Sequence, residues 1–301
     1  MTILMKLLNL FDHMKTIPKI VIVKTIEEDE YADFIIKEIS LQGGNAVTTN
    51  IKNLKTYLNK NNCSPSKTII HSRTAHPDYT YKVLKGLEDE GYKVINSAES
   101  IKLTSDKYNS CIFAKQQNLP CAQTVKISKQ EAKSFIKEKI KDWNEVIVKP
   151  ITSQGQGEFA FKFDQNNIDQ INQIKAIKDS QLIVQEFINY QRLNRVIVIN
   201  GRALEGAVFW DEPKDSWKCS VCLNPKVKVY QNPPKQLLEL AETIADKFKA
   251  EISFIDIFTT AKGYVLNEIN TACNLVINEK VSKYSISKDI ANYLLNCAKK
   301  I

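Results

Sequence analysis

The chain has 301 residues, of which 43% are apolar and 25% charged, and it carries a formal net charge of +8. This length exceeds the usual size of a single hydrophobic core, so we expect two or three subdomains. The composition excludes an intrinsically disordered chain, and no stretch reaches the ~18 apolar residues of a membrane span. The positive charge favours anionic partners such as nucleotides or polycarboxylates. No recognisable nucleic-acid-binding module accompanies it, so nucleic acid is not an expected partner.

The cysteines are scattered through the chain, at positions 63, 111, 121, 219, 222, 273 and 297. An odd number at irregular spacing is not a disulfide framework, and it predicts a reduced, cytoplasmic protein. Cys219 and Cys222 form a lone C-x-x-C without further zinc ligands at suitable spacing, so we interpret them as ordinary thiols. The N-terminal MTILMKLLNLF has apolar residues at helical spacing and no cleavage site. It predicts a short amphipathic helix docked on the body, or a disordered leader.

The first part of the chain alternates between strand and helix patterns. Residues 19–24 (KIVIVK), 45–51, 68–73 (TIIHSR) and 93–96 predict strands. Between them, DEYADFIIKEISLQGG and TYKVLKGLEDEGY predict helices that stop at glycines. This βαβ alternation predicts an N-terminal open α/β domain over residues 1–97. No G-x-G-x-x-G follows the first strand, so dinucleotide binding is not expected there.

A central domain is predicted over residues 98–188. Residues 97–118 predict one or two helices, with Ser97 or Ser105 as N-cap. EAKSFIKEKIKD predicts a further helix, and the strand NEVIVKP (144–150) leads through the Gly-bearing loop SQGQGE into EFAFKF, as in a hairpin. The segment QLIVQEFI predicts the last strand of this domain.

The remaining residues, 189–301, predict a C-terminal domain built on a mixed sheet. Asn200-Gly201 lies between RVIVI and RALEGAVFW, which is a strong signal for a two-residue hairpin. PKQLLELAETIADKFK predicts an amphipathic helix, and ISKDIANYLLNCAKK predicts the closing helix. Between these helices, ISFIDIF and YVLNEIN predict two strands joined by the short turn AKG.

Those two strands carry polar residues inside apolar runs. Side chains alternate between the faces of a strand, so Glu268 and Asn270 point the same way and Ile269 points to the other face. Pairing of the strands would bring Asp256 close to both. A carboxylate facing a core needs a cation, a donor or water. The pattern therefore fits either an edge strand with one polar face or an oxygen site for Mg²⁺ that also binds phosphates.

Three lysines lie in suggestive contexts. Lys107 follows Asp106, Lys149 ends the strand EVIVKP, and Lys218 lies in SWKCS. Lys149 directly precedes the Gly-bearing loop, whose backbone N–H groups could cradle phosphate oxygens while the lysine neutralises charge. Each lysine alone is as compatible with a solvated surface position, and their order along the chain is the more specific signal.

That order resembles the ATP-grasp superfamily, and within it the RimK-like amino-acid ligases, which attach glutamate and related amino acids to protein, peptide or coenzyme carboxylates. The matching motifs are DK (106–107), IVKP (147–150) with SQGQG, VQEFI (184–188), FIDIF (254–258) and NEIN (267–270). The resemblance runs from about residue 68 to the C-terminus. It implies an α+β ATP-grasp fold, with an N-terminal α/β domain, a central lid domain and a C-terminal domain that carries the metal ligands.

The resemblance also implies a role for each matching residue. The ATP-binding set would be Lys107, Lys149, Ser153, Gly155, Gly157, Gln185, Glu186, Phe187 and Ile188, with the backbone at 186–188 pairing with the purine. The metal ligands would be Asp256, Glu268 and Asn270, holding two Mg²⁺ ions for which Mn²⁺ can substitute. Arg195 and Lys218 would act at the acyl phosphate as catalytic residues, and Arg73 would contact the substrate.

The implied reaction is ATP-dependent carbon–nitrogen ligation that releases ADP and phosphate. A carboxylate would attack the γ-phosphate, and the resulting acyl phosphate would accept an amine. The implied partners are ATP, an amino acid such as glutamate, and a carboxylate acceptor that is a small molecule, a peptide or a protein; homo-oligomers are common among such enzymes. Two alternatives stay open: a ligase that cross-links side chains of a precursor peptide, and a nucleotide-binding module without turnover.

Several positions depart from the family pattern. Leu193 replaces an acidic residue, Phe209-Trp210 replaces an arginine, Ser220 replaces an asparagine, and Cys273 and Asn274 stand near the place of a Pro-Gly turn. We expect these departures to cluster where the acceptor or the incoming amino acid binds, which leaves the substrate open. His71 and His76 are interpreted as surface or packing residues, although His71 lies near Arg73 and could touch a substrate.

Overall fold

Three sheets of four, six and four strands organise the chain. The computed structural model describes residues 18–24, 29–74, 77–151, 159–214, 216–219 and 226–301. The predicted N-terminal amphipathic helix, Ser153, Gly155, Gly157, Ser220, Cys222 and His76 lie outside these ranges. Within the described ranges, no helix has both the length and the apolar character that crossing a bilayer requires.

The first sheet is entirely parallel. Its strands are β1 (Lys19–Lys24), β2 (Asn45–Asn50), β3 (Thr68–Arg73) and β4 (Lys93–Ile95), in the order β2–β1–β3–β4. The connections contain α1 (Glu30–Leu41), α2 (Leu54–Lys60), a short 3₁₀ helix (Pro65–Lys67) and α3 (Pro77–Asp89). Parallel strands need such crossovers, which cover the sheet. This cover explains why β1 contains a continuous apolar run and why every residue of β3 is buried. The predicted α/β alternation is confirmed.

His71 is a packing residue of this sheet. Its side chain is buried, and its ring atom Nδ1 lies 2.9 Å from the carbonyl oxygen of Ile95 on the neighbouring strand. Burial lowers the pKa of His71 to about 4, because the charged ring would lose its hydration. The interpretation of His71 as a packing residue is therefore supported by its surroundings.

Acidification is expected to destabilise the protein through His71. The pKa is about 4 in the folded state and ~6.5 in the unfolded chain, so between these values the unfolded state binds more protons. Stability from this group is complete above pH 6.5 and is lost as the pH falls toward 4, amounting to about 2 kcal/mol at pH 5. Urea unfolding at pH 7.5 and pH 5 measures the loss. A His71→Gln variant, which has no titrating ring, should show a smaller pH dependence, and equal slopes would contradict this assignment.

The second sheet is antiparallel and carries the predicted central strands. Its strands are β5 (Thr124–Ser128), β6 (Val146–Pro150), β7 (Phe161–Phe163) and β8 (Gln181–Glu186), in the order β5–β8–β6–β7. Its helices are α4 (Ala98–Ser105), α5 (Lys107–Gln116) and α6 (Ala132–Trp143), and a 3₁₀ helix spans Ile168–Ala176.

Residues 97–118 form two helices that meet at Asp106. Ser97 caps α4 as predicted, whereas the cap of α5 is Asp106, whose carboxylate accepts the Asn109 N–H at 2.9 Å; the prediction of Ser105 as a cap is wrong. An aspartate at this position also suits the positive end of the helix dipole. The cap fixes Lys107 as the first residue of α5.

The third sheet belongs to the C-terminal part of the chain. Its strands are β9 (Arg192–Ile199), β10 (Arg202–Ala203), β11 (Val208–Asp211), β12 (Lys228–Val229), β13 (Ile252–Thr260) and β14 (Gly263–Asn270), in the order β12–β11–β9–β13–β14 with β10 beside β9. The helices are α7 (Lys235–Lys247), α8 (Val276–Ser282) and α9 (Ile286–Ala298). Asn200 and Gly201 both have positive φ, as a two-residue hairpin requires, so that prediction is confirmed.

The two faces of the third sheet have different partners. One face packs on α7 through residues such as Val196 and Ile255. The opposite face begins with Ile197 and Phe254, which pack against the N-terminal sheet and α9. Further along the same strands, this second face is left for polar groups.

Carboxyl ends of the N-terminal strands abut the third sheet. Asn96, just after β4, donates to the Ile252 carbonyl at 2.7 Å and accepts the Ile252 N–H at 2.8 Å. Arg73, at the end of β3, donates to the Cys273 carbonyl oxygen at 3.1 Å. The N-terminal domain is thereby fixed at the start of β13 and at the loop after β14.

Candidate active site

A row of three charged residues crosses the third sheet. Arg195 lies opposite Asp256, and Asp256 lies opposite Glu268, on three neighbouring antiparallel strands. Residues directly opposite each other share a face of the sheet. A β-bulge follows Asp256, because Ile257 pairs with Leu266 and leaves Asn267 without a partner on β13. The predicted convergence of Asp256 with Glu268 is present in the structure, and Ile269 is buried on the other face against the α7 cluster.

Arg195 and Asp256 form a two-pronged ion pair. The Nε and Nη2 groups of Arg195 donate to Oδ1 and Oδ2 of Asp256, each at 2.8 Å. Their side chains are only 12% and 7% exposed. Burial raises the pKa of Asp256 above its ordinary value, and the attraction of Arg195 offsets this only in part. The carboxylate depends on this guanidinium for its charge.

Glu268 faces cations from the central domain. Lys107 Nζ lies 3.6 Å from Glu268 Oε1. Burial opposes ionisation of Glu268, but the charges of Lys107, Lys149 and Arg195 outweigh it and lower the pKa of the carboxyl group. Three cations thus surround two carboxylates, which leaves positive charge for an anionic ligand such as a polyphosphate.

Lys149 is held in place by Gln185. Lys149 Nζ donates to Gln185 Oε1 at 2.9 Å, and Gln185 Nε2 donates to Thr124 Oγ1 at 2.9 Å. Burial lowers the pKa of Lys149, and repulsion from Lys107 adds to the effect. An anion that binds beside such a lysine stabilises its charged form, which favours binding of the anion.

These side chains open into a cleft of about 330 Å³ between the second and third sheets. Every predicted site residue that the structure describes lines it, except Arg73: Lys107, Lys149, Gln185, Glu186, Phe187, Ile188, Arg195, Lys218, Asp256, Glu268 and Asn270. Residues from all five matching motifs, which are far apart in the sequence, therefore share one cavity.

The segment after β8 closes one end of the cleft, and we call residues 186–190 the hinge. The Glu186 N–H donates to the Gln123 carbonyl and the Phe187 N–H to the Glu145 carbonyl, both at 3.0 Å. The Ile188 N–H has no acceptor within the described part of the chain. We predicted that the backbone of residues 186–188 forms hydrogen bonds with a purine. Of the three N–H groups, only that of Ile188 is available as a donor for such a bond.

Arg73 does not line the cleft. Its Nε and Nη2 groups donate to the Asp29 carboxylate at 2.8 and 2.9 Å, and the residue is 6% exposed. It thereby connects α1 to the loop that contains Cys273. Its predicted contact with substrate stays a prediction, and its observed contacts brace two domains.

The departures from the family pattern that lie in the described ranges do not form one cluster, contrary to expectation. Leu193 and Cys273 both line the cleft, but Leu193 lies toward the hinge and Cys273 lies near the N-terminal domain. Phe209 contacts Tyr230 on the opposite face of the sheet, with 4.5 Å between ring centroids. Strand alternation accounts for the separation, because Phe209 and its neighbour Trp210 must point to opposite faces.

The thiols near the cleft are ordinary. Burial raises the pKa of Cys219 to about 12 and that of Cys273 to about 11, so both stay protonated at neutral pH. The described cysteines, with Cys219 among them, are free.

A metal site is compatible with the oxygen atoms of the charged row. The described residues contain no group of three or more His, Cys, Asp and Glu side chains that could hold a metal. The predicted set of two carboxylates and one amide instead suits Mg²⁺, which keeps several waters and binds substrate phosphates. Each oxygen of Asp256 uses one lone pair for Arg195 and retains another for an ion. The residues therefore fit this metal.

Sequence reasoning missed the aromatic wall of the cleft. Tyr190, Trp210, Trp217 and Phe258 all line it. Phe258 is two residues after Asp256 on the predicted strand ISFIDIF, so strand alternation could have placed it beside the charged row.

The sequence is similar to those of proteins described as ligases. Residues 104–294 match the RimK-like ATP-grasp domain family. A coenzyme gamma-F420-2:alpha-L-glutamate ligase of Methanocaldococcus jannaschii is 27% identical over 219 residues, which are 68% of this chain and 73% of that protein. The glutamate–LysW ligase ArgX of Sulfolobus acidocaldarius is 22% identical over 217 residues, which are 70% and 75% of the two chains.

Solved structures show the same architecture. The ATP-grasp ligase PsnB in complex with a minimal precursor superposes with a TM-score of 0.70 at 15% identity, covering 94% of this chain and 99% of that one. At 15% identity the similarity concerns the fold alone. The superposition confirms the predicted α+β ATP-grasp fold class. Since the family match spans more than half of the sequence and includes the whole charged row, the chain belongs to the RimK-like ATP-grasp family and is an ATP-dependent ligase.

Proposed function

We propose that this protein activates a substrate carboxylate with ATP and joins it to the amino group of an amino acid such as glutamate, releasing ADP and phosphate. The observation that carries the proposal is the shared cleft, in which lysines of the central domain face the carboxylates of the third sheet. The names of the relatives support the amino acid, because both are described as glutamate ligases. The structure of the ATP-grasp ligase PsnB supports the fold alone.

The bound nucleotide would extend along β13. Its purine would contact the hinge, where the Ile188 N–H is available, and its phosphates would lie at Lys107 and Lys149. The acceptor carboxylate would then approach from the Asn270 and Cys273 end, which the N-terminal domain adjoins. This order places the carboxylate next to the γ-phosphate that it must attack.

Catalysis in this arrangement is mainly electrostatic. Lys107, Lys149 and Arg195 would stabilise the negative charge that spreads over the transferred phosphoryl group. Asp256, Glu268 and Asn270 would hold Mg²⁺, which supplies Lewis-acid polarisation of the phosphate oxygens. The residues bind and orient both reactants, so that the carboxylate oxygen and the phosphorus meet in line. No side-chain nucleophile is needed.

Removal of the Lys149 charge is expected to weaken nucleotide binding. Lys149→Met keeps the length of the side chain but removes the donor to Gln185 and one of the cations at the phosphates, so we expect a loss of about 10- to 100-fold in ATP affinity. Calorimetric titration of the full chain with ATP and Mg²⁺ measures it. Lys126→Met, on the exposed side of β5, is the matched control and should bind ATP like the wild type. Equal affinities for the two variants would contradict the role of Lys149.

Product analysis tests the reaction itself. The protein is incubated with ATP and Mg²⁺, pooled amino acids and pooled carboxylate acceptors, and ADP is resolved from AMP. ADP that forms only when an acceptor and an amino acid are present supports the proposal, and splitting the pools identifies both substrates. AMP would overturn the acyl-phosphate route. ATP binding without turnover, including with peptide acceptors, would favour a binding module instead.

A further inference from the structure

An apolar row lies beside the charged row. Leu193 is opposite Trp210 on one side and opposite Phe258 on the other, so this row crosses β11, β9 and β13 and shares β9 and β13 with the charged row. Leu193 and Phe258 are two residues from Arg195 and Asp256, and therefore face the same cleft. Tyr190 stacks on Phe258 with 4.5 Å between ring centroids. We call Leu193, Trp210, Phe258 and Tyr190 the apolar strip.

The apolar strip separates the hinge from the charged row. The Gln191 N–H donates to the Thr259 carbonyl at 2.8 Å, which fixes the end of the hinge at the residue after Phe258. Asp256 lies on the other side of Phe258 along β13. A nucleotide with its purine at the hinge and its phosphates at the charged row, as the proposed function requires, must lay its sugar across this strip.

Polar groups close to the strip are already engaged. Glu186 follows Gln185, whose side chain faces Lys149 in the cleft, so strand alternation directs the Glu186 carboxylate to the other face of β8. There it accepts the backbone and side-chain N–H groups of Gln123 at 3.0 and 3.1 Å. The Tyr190 hydroxyl donates to the Trp217 carbonyl at 3.1 Å. The indole N–H of Trp210 has no partner in the described part of the chain, but the ring that carries it is fully buried.

Charged side chains around the strip are also oriented by other groups. Arg195 is committed to Asp256, as described above, and Lys218 lies over the Trp217 ring with Nζ 5.2 Å from its centroid. Among the described residues, the surface that meets the sugar therefore consists of the methyl groups of Leu193 and the rings of Phe258 and Tyr190.

We propose that this ligase recognises the purine and the phosphates of its nucleotide but not the 2′-hydroxyl of the sugar, with Leu193 as the residue that determines this tolerance. A site that hydrogen-bonds a hydroxyl with a carboxylate discriminates against the deoxy analogue by roughly tenfold or more. An aliphatic side chain at the same place offers no such bond. The proposal rests on the nucleotide orientation given under the proposed function, and it adds the sugar class that the site accepts.

Binding of ATP and of 2′-deoxyATP to the full chain tests this inference without any acceptor. Both dissociation constants are measured by calorimetry with Mg²⁺, and GTP serves as the control for reading of the base. We expect the constants for ATP and 2′-deoxyATP to agree within about threefold, with much weaker binding of GTP. A preference for ATP of tenfold or more would overturn the inference while leaving the proposed function intact. Failure to bind any of these nucleotides would overturn both.

Substitution of Leu193 gives an independent test. Leu193→Asp places an acceptor beside the sugar and is expected to raise the preference for ATP over 2′-deoxyATP to about tenfold. Asn194→Asp is the matched control, because it adds a carboxylate at the adjacent buried position on the opposite face of β9 and should leave the ratio unchanged. An unchanged ratio in folded Leu193→Asp would contradict the placement of the sugar. If Leu193→Asp does not fold, the smaller change Leu193→Asn is measured instead, and the ratio of the two dissociation constants in the wild type still tests the proposal.

Discussion

Replacement of Glu268 by glutamine is expected to lower ATP turnover at least about 100-fold while the protein stays folded. Glutamine keeps the shape of the side chain but removes one of the two carboxylates that, within the described ranges, face Lys107, Lys149 and Arg195. The transferred phosphoryl group then loses the divalent ion that should bind there. Loss of one preorganised electrostatic contact to a transition state typically costs about 100- to 1,000-fold in turnover.

Steady-state ADP release with saturating ATP and Mg²⁺ measures this effect, once an acceptor is known. Two control variants keep the interpretation specific. Glu90→Gln removes an exposed carboxylate that pairs with Lys55, and Cys273→Ser changes a thiol in the same cleft. Both should retain turnover within a few-fold of the wild type. Turnover of Glu268→Gln equal to that of Glu90→Gln would remove Glu268 from the metal site.

Much of the fold follows from local sequence patterns. The β1 run and the strands β13 and β14 combine length, β-branched residues and clear stops, and each forms close to its predicted position. By contrast, α2 and β5 were not predicted. β5 has no fully buried residue, and α2 has seven residues and a buried face made only of Leu54 and Leu58, so neither segment gives a strong pattern in the sequence. Tertiary packing decides such short segments.

Geometry explains why part of the site was beyond sequence reasoning. Motif order identified the charged row, because its ligands lie on one hairpin whose alternation is readable from the sequence. The partners of Arg73 are not readable in this way. Asp29 and Cys273 are 44 and 200 residues away, so the bond between two domains that occupies this arginine depends on their packing.

The row also shows why one face of the third sheet can serve two purposes. Phe254 and Ile197 pack one end of the two strands against the N-terminal domain, whereas Asp256 and Arg195, each two residues away on its strand, face the cleft. A period of two residues thus converts a packing surface into a polar site without any change of strand. The bulge after Asp256 shifts β14 by one residue, which keeps Glu268 opposite Asp256 while Val265 remains opposite Phe258.

Loss of the Arg195 guanidinium is expected to destabilise the protein by about 3–5 kcal/mol. Arg195→Met leaves Asp256, whose side chain is 7% exposed, without its only cation on β9. An unpaired charge at such a depth typically costs this much, most of it from lost hydration. Urea unfolding followed by tryptophan fluorescence measures the change. Lys85→Met, which breaks an exposed ion pair with Asp89, should leave the unfolding midpoint unchanged.

A second substitution separates the buried charge from simple loss of packing. In the double variant Arg195→Met with Asp256→Leu, no buried charge is left unpaired, so most of the lost stability should return.

The pH dependence of the stability of the single variant gives the same information. Burial raises the pKa of Asp256, and without Arg195 nothing on β9 opposes that rise. The folded single variant then takes up a proton more readily than its unfolded chain, and its deficit should shrink as the pH is lowered. A deficit that is independent of pH and persists in the double variant would mean that Arg195 stabilises the sheet through its packing on Trp210, where its guanidinium carbon lies 5.6 Å from the ring centroid.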